Sequence, residues 1–203
     1  MKKITLTLLG LVAFSTSALA QQEVKFGPKA GVNFANLSGL DDSEMKVGFH
    51  VGAVAEIKFN DKFSLQPEVV YSTQGAKYSE IMIPNGTVES EIKNDYINIP
   101  ILAKYFIIEG FSVELGPQIG FLMKSELKGW NDKTMDVIDA YKSVEFGLAI
   151  GLAYDLPMGA FVEARYNLGL SKANEDNVSM GGMSFETEDF KNNVIQVSLG
   201  YKF

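Results

Sequence analysis

The 203-residue chain carries 18 basic and 25 acidic residues, one histidine and no cysteine. The missing cysteines exclude a disulfide framework and thiolate metal sites, and the acidic balance argues against nucleic acid as a partner. No segment after Phe14 approaches the ~20 apolar residues of a membrane-crossing helix. Residues 1–20 read as an export signal peptide. Lys2 and Lys3 give the positive start, Ile4 to Phe14 the apolar run, and Ala18 and Ala20 the small-residue end. Cleavage is expected after Ala20. The mature part, 21–203, then has 16 basic and 25 acidic residues, a net charge of −9, and the size of one domain. No cysteine near the cleavage point offers a lipid anchor.

From there the chain alternates apolar and polar residues again and again, the period-2 mark of strands with two unlike faces. The first predicted strand, 24–34, puts Phe26, Pro28, Ala30, Val32 and Phe34 on one face. The second, 47–59, offers Phe49, Val51, Ala53, Ala55, Ile57 and Phe59. After a tight turn at Asn60, Asp61 and Lys62, the third, 63–74, offers Leu65, Pro67, Val69 and Tyr71. A polar stretch, Gly75 to Asn94, follows. The fourth strand, 95–106, carries Ile97, Ile99, Ile101, Ala103 and Tyr105. A short turn leads to the fifth, 111–121, with Val113, Leu115, Pro117 and Ile119. A second polar stretch, Met123 to Lys142, holds Trp130. The sixth strand, 143–154, alternates Val144, Phe146, Leu148, Ile150, Leu152 and Tyr154 with Glu145, Gly147, Ala149, Gly151 and Ala153. The turn 155–159 precedes the seventh, 160–171, and the polar stretch 172–191 precedes the last. There Ile195, Val197, Leu199, Tyr201 and Phe203 share one parity.

Connections are expected to be long after the odd strands and short after the even ones. That asymmetry, with strands of ten or more residues, predicts an all-β fold: a closed antiparallel eight-stranded transmembrane β-barrel with short periplasmic turns and long extracellular loops. Lys25, Lys29 and Lys202 fall on the polar parity, as do Glu56, Lys58, Glu68, Lys104, Glu114, Glu145, Glu163 and Arg165. The latter eight are expected to form a structural charge network in the lumen, with Glu145, Glu163 and Arg165 pairing across neighbouring strands. The bulky residues then face lipid, where a mid-membrane Lys or Arg costs ~2–4 kcal/mol. An eight-stranded barrel is usually filled by its own side chains, so pairing is preferred over an ion path.

Motifs of chemistry are sparse. A hydrolase triad would need His50 with a nearby Ser and Glu, but His50 falls on the lumen parity, away from lipid substrate. No catalytic, cofactor-binding or metal-ligating residue is assigned. Asp41, Asp42 and Glu44, then Glu175, Asp176, Glu186, Glu188 and Asp189, are acidic loop runs without EF-hand spacing and read as solvated surface. Trp130, Tyr78 and Tyr141 are candidate interface anchors or loop contacts. Ser179 to Met183 reads as a loop tip.

Three segments carry a resemblance: GPKAGVNFANL in the first strand, YINIPILAKY in the fourth and VEARYNLGLS in the seventh. They resemble the porin-family outer-membrane β-barrel domain, akin to small OmpA- and OmpX-type barrels, over nearly the whole mature chain. The ending with Tyr201 and Phe203 resembles the C-terminal signal read by the barrel-insertion machinery. The resemblance implies an integral outer-membrane protein of a Gram-negative bacterium, in contact with outer-membrane lipid, and no active site to carry over. The expected role is non-enzymatic: structural, or surface interaction with an extracellular ligand through the loops. The alternatives are a narrow porin-like channel for ions or small solutes and, less favoured, a lipid-modifying enzyme.

Overall fold

The computed structural model describes residues 23–39, 43–83, 86–128, 134–174, 177–180, 183–186 and 189–203. The expected export segment 1–20, Asp41, Asp42, Trp130, Glu175, Asp176, Glu188 and the side chains of Tyr78 and Glu186 lie outside what is described. The chain runs through β1 (Glu23–Ser38), β2 (Ser43–Lys58), β3 (Phe63–Ile83), β4 (Gly86–Ile108), β5 (Phe111–Lys128), β6 (Thr134–Asp136), a 3₁₀ turn (Ile138–Ala140), β7 (Val144–Asp155), β8 (Ala160–Gly169), β9 (Asn177–Met180), β10 (Met183–Glu186) and β11 (Lys191–Tyr201). Eight of these, all but β6, β9 and β10, pair antiparallel in the order β4-β3-β2-β1-β11-β8-β7-β5, and β4 pairs with β5 to close the ring. First and last strands join from Lys29↔Gly200 to Ser38↔Lys191. Beyond this ladder the Phe203 amide donates to the Phe26 carbonyl at 2.8 Å.

The parity of each strand decides which face is bulky. Phe26, Val51, Val69, Leu115, Ile150, Val162 and Leu199 all stand on the outside, 45–63% exposed. Successive strand side chains point to opposite faces, so their neighbours point inward. Most of those are small or polar: Gly27, Lys29, Glu68, Glu114, Ala149, Glu163 and Ser198 are all buried, with apolar side chains such as Val54 among them. Outward aromatics form two belts. Phe63 and Tyr105 meet at a tilt with ring centroids 5.0 Å apart and Tyr201 and Phe203 edge-on at 5.2 Å near the short-turn rim, while Phe49 and Tyr71 meet at 6.1 Å towards the other.

The short-turn rim is built from 59–62, 109–110 and 156–159. Asn60 Oδ1 accepts from the Lys62 and Phe63 amides, both at 2.9 Å. Gly110 and Gly159 hold φ of 78° and 93°, left-handed values that glycine adopts without a Cβ penalty. The opposite rim differs in detail from the sequence expectation. The polar stretch Gly75–Asn94 is largely not irregular: β3 and β4 stay paired from Gln74↔Asn94 to Ile83↔Gly86. Likewise only 39–42 separate β1 from β2. The apolar–polar alternation ends where the outer face leaves the apolar layer, but the backbone ladder needs no apolar face to continue. β5 also runs on to Lys128, and 134–143 fold back over the mouth.

Since Ile150 sits at the middle of an outward-facing apolar column, Ile150→Arg is expected to lower the unfolding free energy by about 2–4 kcal/mol in lipid vesicles, read from urea titration. Met158→Arg, at the rim, should change it by no more than about 1 kcal/mol.

Candidate functional site

The lumen gathers most of the unusual chemistry. At mid-height Arg165 on β8 faces three carboxylates. Its Nη2 lies 2.8 Å from Glu68 Oε1, 2.8 Å from Glu163 Oε2 and 3.2 Å from Glu114 Oε1, and its Nη1 donates to Glu68 Oε2 at 3.0 Å. The planar guanidinium is suited to this, because its fixed fork of donors matches carboxylate geometry. Lys29 from β1 bridges the same group, 3.0 Å from Glu68 and 2.8 Å from Glu163. The side chains of Lys29, Glu68, Glu114 and Glu163 are fully enclosed.

A second cluster lies towards the short-turn rim. Lys202 pairs with Glu56 and, at 2.8 Å, with Asp155. Ser64 donates to Glu56 at 2.7 Å, and Lys104 lies 3.6 Å from Asp155. Gln66 ties the clusters together: it donates to Glu68 at 2.7 Å and accepts from Lys104 at 3.2 Å. Below it opens a vestibule of about 1220 Å³ bordered by Lys25, Lys58, Lys202, Glu56 and Asp155.

Above the central cluster the network turns neutral. His50 Nδ1 is 2.7 Å from Asn33 Oδ1 and its Nε2 is 2.8 Å from Ser198 Oγ. The carbonyl partner assigns the proton to Nδ1, so Nε2 accepts from the serine. Gly31 makes room for the ring: a Cβ there would stand 2.6 Å from His50 Cε1. Serine, histidine and asparagine thus stand in the order of a hydrolytic triad. Yet His50 is 1% exposed and Ser198 3%, and neither described cavity borders them. Among the described residues no group of three or more His, Cys, Asp or Glu side chains stands in metal-binding geometry.

The upper mouth is apolar. Leu37, Ala76, Tyr96, Leu122, Tyr141, Ala173 and Phe190 form one buried cluster, with Val137, Ile138 and Ala140 packed on it. Tyr141 and Phe190 meet edge-on at 5.5 Å. Tyr141, from the sequence a candidate interface anchor or loop contact, is part of this plug.

A family model for the outer membrane protein beta-barrel domain matches residues 19–175. The chain belongs to that family. Neisserial surface protein A is similar in fold, with a TM-score of 0.55 at 15% identity over 89% of this chain and 99% of that one. Looser likenesses are Ail of Yersinia pestis (TM-score 0.47, 15% identity, 89% and 99% covered) and OprG of Pseudomonas aeruginosa (0.46, 14%, 91% and 98%). The comparison with curated proteins gives no match. In an outer-membrane barrel the bulky exterior faces lipid, the short turns are periplasmic and the long hairpins extracellular.

The structure brings Glu68, Glu114, Glu163 and Arg165 together, and links Glu56 and Lys104 to them through Lys202, Asp155 and Gln66. Two expected partners stand elsewhere. Glu145 does not reach Arg165: near the extracellular end of β7, it accepts from Tyr96 Oη at 2.5 Å. Glu163 and Arg165 are two apart on one strand, and Glu145 lies well above them. Lys58 lies over the Phe106 ring, 5.7 Å from its centroid, rather than beside a carboxylate. Lys29 and Lys202 carried the lumen parity in the sequence but no sign of which anions they meet. Asp155, read as a turn residue, and the inward aromatics Tyr96, Phe106 and Phe161 gave no sign of a lumen role, because strand ends escape a parity count.

Removing Arg165 leaves three buried carboxylates around one lysine. Arg165→Met is expected to cost about 3–5 kcal/mol, the scale for breaking a buried ion pair. Glu114→Gln, which keeps a hydrogen-bonding group, should cost clearly less. Urea midpoints of the refolded variants check both.

Proposed function

We propose that this protein is a sealed, non-enzymatic barrel that anchors extracellular hairpins for contact at the cell surface. The observation that carries this reading is the double closure of the lumen. The ionic cluster around Arg165 fills the middle, and the plug of Tyr141 and Phe190 covers the mouth. Among the described residues, two seals of unlike chemistry stand across the lumen, which disfavours a channel for ions or solutes. A lipid hydrolase is disfavoured by the enclosure of His50 and Ser198 behind the lipid-facing wall. What projects is the β3–β4 hairpin, paired well beyond the outward apolar residues, together with the β9–β10 hairpin. Planar-bilayer recording of the refolded protein is expected to show no stable conductance steps. Long-lived uniform steps would overturn the reading in favour of a narrow pore.

The same proposal assigns Tyr201 and Phe203, exposed and edge-on to each other beside the joint of first and last strands, to recognition by the insertion machinery. Deleting Phe203 should lower the fraction of heat-modifiable, folded barrel in cells while leaving refolding in detergent nearly unchanged. Equal loss in both settings would mean that Phe203 acts only on the stability of the fold.

A further inference from the structure

Four of the lumen's buried carboxylates have a cation. Glu56 has Lys202, Glu68 and Glu163 share Lys29 and Arg165, and Glu114 meets Arg165. Glu145 differs. Its contacts among the described residues are the Tyr96 hydroxyl and the Asn192 amide, with no lysine or arginine paired to it. Beside it is a chamber of about 20 Å³, bordered by Gln74, Asn98, Gln118, Glu145, Asn167 and Asn192, beneath the Tyr96–Tyr141 plug. Asn98, Asn167 and Asn192 are 3%, 4% and 6% exposed. Among the described groups, Asn98 Nδ2, both polar atoms of the Asn167 amide and Asn192 Oδ1 have no hydrogen-bond partner.

Buried amides left unpaired in this number, around a carboxylate without a counter-charge, describe a site shaped for a guest. The guest's class follows from size and charge. A space of this volume admits one atom-sized species, which excludes organic cations. Oxygen donors from a carboxylate and amides suit a hard cation. One carboxylate neutralises one positive charge, whereas a divalent ion would leave an uncompensated charge in a poorly solvated place. Asparagine presents either oxygen or nitrogen by a half-turn, so Asn98 and Asn167 can both offer oxygen.

We propose that this chamber binds a single sodium-class monovalent cation, held by the Glu145 carboxylate and the amide oxygens of Asn167 and Asn192. The ion ties β7, β8 and β11 together below the extracellular plug.

The test is urea unfolding of the refolded barrel in detergent, in NaCl and in choline chloride at equal concentration, since choline is too large for the chamber. With sodium at ten times its dissociation constant, the folded-to-unfolded ratio should rise about elevenfold over choline. Glu145→Gln and Asn167→Leu should each remove that difference. The ²³Na relaxation of wild-type samples should likewise exceed that of either variant, which keeps the test open if one of them folds poorly. Equal stability in the two salts, with no excess ²³Na relaxation, would mean that the chamber holds water alone and would overturn the proposal. A sodium effect that survives both substitutions would overturn it as well, by placing the ion elsewhere on this acidic protein.

Discussion

A strand inside hydrocarbon has no water to satisfy its amides and carbonyls, so each must find a partner on another strand. The ring of eight strands meets that demand, and the joint between β1 and β11 is where it is completed. Backbones come close at this joint. A Cβ on Gly27 would stand only 1.6 Å from the Tyr201 carbonyl oxygen, so the bare backbone lets the last turn of the ring close. The same closure fixes the register, and a slip by one residue would exchange lipid-facing and lumen-facing residues along the strand that slipped.

Closure then dictates the interior. Eight strands enclose a space just wide enough for side chains to fill. Most bulky residues are outside, so the interior is filled by long ionic side chains set among glycine, alanine and serine, with Tyr96, Leu102, Phe106 and Phe161 towards the strand ends. Charges brought into such a space require partners, and the lumen supplies them in tiers. Lys202 serves Glu56 and Asp155 near the periplasm, and Arg165 and Lys29 serve three glutamates at mid-height. Above them lies the neutral chain of Ser198, His50 and Asn33. The tiers are continuous through Gln66 and through Ser198, whose hydroxyl also lies 3.4 Å from Glu163.

The plug makes the extracellular end unlike the rest. It is a small apolar core built from the inner faces of strand ends and from the segment 137–141 folded over them. Tyr96 belongs to both worlds, its ring in that core and its hydroxyl on Glu145. The upper chamber, lined by Glu145 and neutral amide side chains, stands below that apolar packing.

Strand number, face assignment and the inward position of the charged residues were all legible in the sequence. The period of a strand is 2, and a lipid exterior sorts residues by polarity without reference to any partner. The alternation in Val144 to Tyr154 needed no structure to interpret. What the alternation could not carry was pairing. Whether Arg165 meets Glu114 or Glu145 depends on the stagger between strands, which is a property of the closed ring and not of either strand. Nor could it show that Gly75–Asn94 is mostly a continued ladder, because paired backbone in water needs no apolar face. The chain by itself determined which side of the wall the residues in the middle of each strand occupy; only the closed ring decided the strand ends and the height at which each residue stands, and therefore which opposite charge it meets.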